Sequence, residues 1–486
     1  MTVNSIDRAQ KRVKLGSSIA FVVMVVVVVA LALAFGRGGN RVGGAAPGGN
    51  SVDNLWVLIC AALVFFMQAG FLCFGVGLAR SKHGATIATK NVIDWAIGGI
   101  GFFVVGFGFM FGASQLGVIG TGLFFLEDLS LQATTVSGVV FFLFQLAFAG
   151  TAITLVSGSL LERTNLLAYL AIAAVVAVII YPIYGHWVWG NLLIEGNGAW
   201  LADLGFHDFA GGTVVHLVGA VVALVGVVMV GPRVGRFDAD GKPQKMASSS
   251  VPLSQVGVFI LWFGWWGFNG GSYLQFGIDA ADAILVTNVS AIAGLVGAAS
   301  TAYLFQGGYG LSLKLAGGAV GGLVAITPGA DVVTPAGAIV IGLLAGIIYS
   351  FGNDLLLQLG VDDALGVIPA HGFGSILGTL ALAVFAADGA FNRSWPQQLV
   401  IQLLGIIVCI IWAASTSLAA FSVIRAIIGL RVSPRAEISG IDLDAAEWPY
   451  GANGAAAPKS VLSGFVERGN QVPSEAIPAA RGKGAG

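Results

Sequence analysis

The chain has 486 residues, 57% of them hydrophobic and only 10% charged, with a net charge of −1. Soluble domains carry about 25% charged residues, so this much apolar surface exceeds what a water-soluble core hides and must face lipid. The near-zero net charge argues against a nucleic-acid partner. The cysteines, Cys60, Cys73 and Cys409, all fall in apolar runs, which argues against a disulfide framework or a zinc site.

In chain order, residues 1–14 hold Arg8, Lys11, Arg12 and Lys14, and 15–35 is apolar with a candidate cleavage site at Ala32-Leu33-Ala34. This pattern reads as a signal peptide or an uncleaved N-terminal anchor over 1–35. A Gly-rich linker over 36–51 follows. Apolar runs of spanning length then fall near 54–79, 91–112, 132–160, 166–184, 209–230, 252–271, 283–305, 315–328, 335–358, 366–386 and 397–429. They predict an all-α polytopic membrane domain of eleven transmembrane helices over 52–430. Residues 431–486 form a tail whose distal part, rich in Gly, Ala and Pro, has the composition of a disordered segment. Gly108/Gly112, Gly317/Gly321, Gly318/Gly322 and Gly342/Gly346 have the GxxxG spacing that lets membrane helices approach closely.

The connections between runs alternate in charge. One set holds Arg80, Lys82 and Lys90, then Arg163, then Arg233, Arg236, Lys242 and Lys245, then Lys314, with Arg431 and Arg435 in the tail. The other set holds no Lys or Arg except Arg393. The positive-inside bias puts the start of the first run outside and the C-terminus in the cytoplasm, as for a multi-pass protein of the cell (inner) membrane.

Ionisable groups inside a bilayer are functional candidates. Of five histidines, His83, His186 and His207 map to connections, while His216 and His371 fall inside the fifth and tenth runs. The first five runs and the next five form two halves of opposite topology, an inverted 5+5 repeat plus a last helix. Each histidine lies on the last helix of its half, and each follows an aspartate, Asp208 or Asp363, by eight residues. Eight helical residues rise about 12 Å, so each histidine sits near mid-membrane and each aspartate near a helix start, where it can cap free N–H groups. Two aromatic clusters, Tyr184–Gly190 and Trp262–Ser272, fit either an interfacial belt or faces that hold a cation. No nucleophile–base set or metal-spaced cluster points to an enzyme, a metal or a cofactor.

Six segments together resemble the ammonium transporter (Amt/Mep/Rh) family: Phe66-Met67-Gln68-Ala69-Gly70-Phe71, Phe144–Thr151, Asp208–His216, Phe268-Asn269-Gly270-Gly271-Ser272, Leu323–Pro328 and Asp362-Asp363 before His371. They occur in register over roughly residues 52–450. The resemblance implies a trimer with one pore per subunit. It implies that Phe144, Phe148, Trp189 and Ser272 form an external ammonium site organised by Asp208. It also implies that Phe148 and Phe268 form a phenyl gate, that His216 and His371 line the pore, and that Trp265 packs beside it. Some positions depart from the family: Gly366 and Ile368 stand where many members have Asp and Phe, and Gly75 where relatives commonly carry Glu. In the tail Gly440, Asp442 and Tyr450 fit, but Ala446, Glu447 and Trp448 replace the usual His-Gly-Glu. That departure weakens the expectation of a PII-type regulatory partner at the cytoplasmic face.

Ammonium resembles potassium in size and charge, but only ammonium can give up a proton. Burial favours neutral forms, so a site that binds the cation by cation–π contact, an apolar gate and neutral imidazoles that both donate and accept would pass ammonia and a proton separately, with net charge movement. The alternatives are a neutral ammonia channel and an ammonium sensor of the same fold with little or no flux.

Overall fold

The computed structural model describes residues 50–127, 129, 136–308 and 310–442. The expected signal peptide or anchor, most of the Gly-rich linker and the tail beyond 442 lie outside the described residues. A lipid-facing segment must satisfy its backbone hydrogen bonds internally, which restricts it to helices or closed barrels. Among the described residues eleven helices are long and apolar enough to cross a membrane. They are α1 (Ser51–Leu78), α2 (Ser81–Phe111), α3 (Gly138–Ser159), α4 (Leu166–Trp189), α5 (Gly212–Val230), α6 (Val251–Gly271), α7 (Ile278–Phe305), α8 (Leu311–Gly329), α9 (Pro335–Gln358), α10 (Ile368–Phe385) and α11 (Trp395–Ile427). Side chains that accept from their own first turn start many of them, as Asn50, Ser137, Asn165, Ser250 and Thr334 do. Ser394 and Gln397 form a capping box at the start of α11.

The count matches the apolar runs, but several boundaries move. α2 begins ten residues before its run, because Lys90 and Asp94, which depress its hydropathy, lie inside the helix. Tyr169 Oη donates to Asp94 at 2.5 Å and Lys90 Nζ donates to the Ser157 carbonyl at 3.3 Å. α4 runs on to Trp189, so the aromatic cluster expected in a connection is its last turns. His186 is therefore a buried helical residue, held by Ser114 Oγ and the Met110 carbonyl at 2.9 Å each. His83 likewise stands in the first turn of α2, fully buried. A short hairpin between α2 and α3, β1 (Ala113–Gln115) antiparallel to β2 (Ile119–Thr121), was not visible in the hydropathy. It explains Gly108 and Gly112, which pack against the hairpin at Gly122 and Thr121 and not against a helix. The other GxxxG pairs do what their spacing predicts. Gly318 and Gly322 lie against Gly294 and Ser290 of α7, and Gly342 and Gly346 of α9 meet the same two carbonyls.

α3, α5 and α8 form the centre, each with 78% of its apolar window buried, whereas α11 has 28% buried and wraps the outside. The two halves interlock across this centre in matching ways. The segment entering α5 pairs with the end of α8: the Phe209 and Ala210 amides donate to the Pro328 and Thr327 carbonyls at 3.0 and 3.3 Å. The segment entering α10 pairs with the end of α3, where the Ala364 amide donates to the Ser159 carbonyl at 3.4 Å. In each case the last helix of one half is held by the third helix of the other, as an inverted 5+5 repeat requires.

One end of the bundle, the basic end, is clamped by buried ion pairs. Arg233 bridges Asp362 at 2.8 Å and Glu162 at 3.3 Å, Arg236 meets Asp362 at 3.3 Å, and Arg80 binds Glu162. Burial would raise the pKa of Asp362, but the hydrogen bonds and charge of Arg233, with Arg163 beside it, outweigh that and hold its carboxyl well below the usual range. The first residues of the tail lie on this clamp. Val432 N–H donates to the Arg163 carbonyl at 2.9 Å, and Val234 N–H to Glu437 Oε1 at 2.6 Å. Asp442 caps the start of α2 through the Ala85 and Thr86 amides at 3.0 and 2.8 Å.

Candidate functional site

The site is built where α5 and α10 begin. Asp208 precedes α5, and its carboxylate accepts from the amides of Gly211, Gly212, Thr213 and Val214 and from Thr213 Oγ1, at 2.6–2.9 Å. Five donors on one carboxyl require both oxygens as acceptors, so the turn is shaped for an anion. The turn closes through Gly211 at φ +102°, where a Cβ would come within 2.6 Å of Val215 and 3.0 Å of Trp189. The first six residues of α5, Gly212–Leu217, form a π-helical turn that carries His216. The same parts recur on the other side. Asp363 accepts from the Ile368 amide at 2.6 Å, Gly366 has φ +70°, and Ile368–Phe373 is a π-helical turn that carries His371. Single π turns concentrate at functional positions; of the four among the described residues, two carry the paired histidines, and the others are Phe102–Gly106 and Val176–Ile180.

The two imidazoles meet at the centre, Nδ1 to Nδ1, at 3.2 Å. One Nδ1 must donate to the other, so when both rings are neutral they are in opposite tautomers. His216 is fully buried, and its Nε2 has no hydrogen-bond partner among the described residues. Leaving a buried polar atom unsatisfied costs about 1–3 kcal/mol, which a packing histidine would avoid by turning toward a carbonyl. Trp265 fixes the ring. It stacks on His216 at 5.1 Å and 23°, and its own Nε1 donates to Thr327 Oγ1 of α8 at 2.9 Å.

Aromatic rings lead from the histidines to the end opposite the basic clamp. Phe268 lies over His216 at 5.4 Å and 22°. Phe148 stacks on Phe268 at 4.0 Å and 22°. Beyond them Trp189 meets Phe148 edge-on at 6.1 Å, and Phe144 lies 4.6 Å from Phe148. Trp189 is held by its Nε1–H, which donates to the Asp208 carbonyl at 2.7 Å. One aspartate therefore shapes the turn with its side chain and the tryptophan with its backbone. Ser272 is half-buried, and its hydroxyl donates to the Phe268 carbonyl at 2.8 Å, which leaves its oxygen as an acceptor. On the other side His371 borders a small cavity lined by Asn91, Thr154, Ser157 and Tyr349, among others. Gly75 and Gly366, two of the departures noted in the sequence, line this same cavity.

All nine sequence-named residues thus belong to one continuous file from Trp189 to His371 or to its immediate supports. Sequence reasoning missed Thr213, Thr327 and the polar lining of the cavity. Thr213 stands inside the Asp208–His216 segment and was within reach; Tyr349 and Asn91 gave no signal because each lies in a long apolar helix far from any motif. Among the described residues no group of three or more His, Cys, Asp or Glu side chains is placed to hold a metal ion.

The family model described as Ammonium Transporter Family matches residues 55–448. The ammonium transporter Amt2 of Archaeoglobus fulgidus is 40% identical over 420 residues, covering 81% of this chain and 86% of that protein. A putative ammonium transporter of Synechocystis sp. is 43% identical over 402 residues, covering 81% and 73%. A solved structure described as a sensor Amt protein superposes with a TM-score of 0.79 at 41% identity, covering 81% of this chain and 98% of its own. The chain is a polytopic membrane protein that belongs to the ammonium transporter family.

Proposed function

We propose that this chain moves ammonium across the cell membrane, recruiting the cation at Trp189, Phe144, Phe148 and Ser272 and conducting ammonia and a proton past His216 and His371. The observation that carries the reading is the file itself: a stacked phenyl pair at 4.0 Å followed by two imidazoles at 3.2 Å, with no carboxylate or cationic side chain among the residues that form it. The positive-inside bias makes the basic end cytoplasmic, so Trp189 faces outward and the cavity below His371 opens inward. By family likeness the working unit is a trimer with one pore per subunit.

The ring faces of Trp189 and Phe148 attract a cation by about 0.5–2 kcal/mol, and the Ser272 oxygen accepts one of its N–H groups. The Phe148–Phe268 pair blocks water and hydrated ions. A bare ion beyond that point loses several kcal/mol of hydration, which potassium has no means to avoid. Ammonium avoids it by giving its proton to the imidazole pair. The proton passes along Nδ1···Nδ1 while ammonia hydrogen-bonds its way along the same two rings, and the two recombine in the inner cavity. Charge therefore moves with each ammonia, unlike in a neutral gas channel. The test is the current of purified protein on a solid-supported membrane. Ammonium jumps give current and potassium jumps give none; an electrically silent uptake of ammonia would overturn the charge-moving reading.

The likeness to a structure described as a sensor Amt protein favours a second reading, in which the same file binds ammonium with little flux. Saturable binding without uptake in a transport-deficient host would select it. A PII-type partner at the cytoplasmic face belongs to either reading, and the part of the tail that departs from the family pattern lies outside the described residues.

A further inference from the structure

The residue before Asp208 makes a contact that the pore does not explain. His207 Nε2 and Asp331 Oδ1 lie 3.0 Å apart at the outward end, with side chains 26% and 15% exposed. Asp331 follows the end of α8, two residues beyond Gly329. The pair borders the recruitment residues on both strands of chain that build them. His207 adjoins Asp208, whose carbonyl holds Trp189. On the other side Tyr273, next to Ser272, packs edge-on against Phe209 at 4.9 Å, and its hydroxyl donates to the Asp331 carbonyl at 3.4 Å.

The surroundings fix the imidazole without competing for its proton. Gln402 of α11 accepts from the His207 amide at 2.9 Å and donates to its carbonyl at 2.7 Å, and the Phe391 ring lies 5.4 Å away. The charged groups that face His207 are Asp331 and Asp208. Tyr273 is the nearby phenol, with Asp279 and Asp282 behind it. Arg393, from the α10–α11 connection, is turned to the Leu204 carbonyl at 2.9 Å. The outward connections carry Glu127, Glu195, Asp203 and Asp388 against Arg393, so the pair stands in a field already suited to cations.

We propose that the His207–Asp331 pair forms a charge-switched lip on the ammonium mouth, neutral overall while His207 carries a proton and a bare carboxylate once that proton is lost, so that the mouth gathers cations more strongly as the outer solution becomes alkaline. The proposal rests on ammonium being the solute. Burial alone would lower the His207 pKa, but the charge and hydrogen bond of Asp331, with Asp208 behind it, outweigh burial and raise it above the ordinary 6.5. The sign follows: the ion pair is complete below that ordinary value and is lost as the pH rises through the raised one. A unit charge near a solvated site changes local cation occupancy by roughly two- to fivefold.

The test measures ammonium-evoked currents of the full chain in proteoliposomes at an outer pH of about 6 and about 8.5, for wild type, His207→Gln and Asp331→Asn. In wild type the apparent KM falls roughly two- to fivefold toward alkaline pH. His207→Gln, a neutral donor to the same carboxylate, holds the low KM at both values, and Asp331→Asn holds the high one. Maximal current stays unchanged in both variants, because neither residue lies in the file; this also reports that they are folded. A residue that merely braced the mouth would shift KM equally at both pH values. Wild-type currents whose KM is flat with pH, or variants that keep the wild-type profile, overturn the proposal and leave ammonium conduction standing. Absence of ammonium current in wild type overturns both.

Discussion

At the start of α5 the Asp208 carboxylate receives five hydrogen bonds, whereas at the start of α10 Asp363 receives one. Yet both aspartates stand eight residues before a buried histidine, three before a glycine of positive φ and ahead of a π-helical turn. The fold repeats, but the holding chemistry does not. Among the described residues Asp363 Oδ1 has no well-formed hydrogen bond; burial raises its pKa above the ordinary value, outweighing the Ile368 amide, Ser159 and the Val367 amide that face the carboxyl. The inner turn is gripped one residue earlier, where Asp362 accepts from the side chain and amide of Arg233 and its carbonyl accepts from Arg163 at 2.7 Å. The Asp208 turn holds Trp189 through its backbone carbonyl as well as starting a helix, and the saturated carboxylate keeps that turn in shape. The inner turn opens onto a cavity and only has to start a helix, so an ion-pair clamp set to one side suffices.

Removing the clamp should have the largest effect on stability. Asp362→Ala leaves buried Arg163 without its carboxylate and Arg233 with Glu162 alone, and should lower stability by about 3–5 kcal/mol, read as thermal unfolding in detergent. The depressed pKa of Asp362 adds a pH signature. Its contribution is present above the ordinary value near 4 and is lost only as the pH falls through its lower folded value. The deficit of Asp362→Ala should therefore stay constant from neutral pH down to about 4 and shrink below it.

Asp208→Ala strands its five donors and should cost about 3 kcal/mol, with ammonium KM rising because the turn that aims its backbone carbonyl at Trp189 loosens. If Asp208→Ala proved as mild as Asp363→Asn, the outer turn would not depend on its carboxylate and the contrast between the ends would collapse. Glycine exchanges sharpen the contrast. At Gly366 a Cβ would meet Tyr349 Oη at 2.7 Å, and at Gly211 it would meet Val215 and Trp189. Each alanine should cost about 1–2 kcal/mol for the left-handed backbone, but only Gly211→Ala should raise the KM. Trp265→Phe removes one buried hydrogen bond to Thr327, worth about 1 kcal/mol, while keeping a ring over His216.

Asp363→Asn should be smallest, within about 1 kcal/mol of wild type at neutral pH. The sign follows from its raised pKa: what Asp363 contributes is fully present below the ordinary value and is lost as the pH rises through the folded one, so asparagine gives up little. A loss of several kcal/mol would show that Asp363 is held as tightly as Asp208.

Much of this was legible before any coordinates. The eleven helices and their order follow from run length, and the pairing of His216 with His371 from position and the shared aspartate spacing. What failed had physical reasons. Hydropathy discounted the first turns of α2 because it counts Lys90 and Asp94 as exposed, whereas the fold satisfies them against Ser157 and Tyr169. It ended α4 early because His186 and three aromatic residues read as a connection, whereas Ser114 and the Met110 carbonyl make a buried helical histidine affordable there. The π turns were not legible at all. The unequal burdens of Asp208 and Asp363 were legible in part: Thr213 and Val214 supply three of the five donors to Asp208, whereas the matching Ile368 has no hydroxyl and Pro369 no amide hydrogen.

On the proposed reading, the two imidazoles let ammonium, and not potassium, carry charge through an uncharged file. That reading is tested most directly by solid-supported-membrane currents of purified wild type, His216→Ala and His371→Ala under matched jumps of ammonium and potassium. Wild type should respond to ammonium alone, and each alanine variant should lose either the ammonium current or the discrimination, by about tenfold or more for the roughly 1.4 kcal/mol that a single charge-assisted hydrogen bond supplies. Variants that kept the ammonium current with full exclusion of potassium would contradict the account.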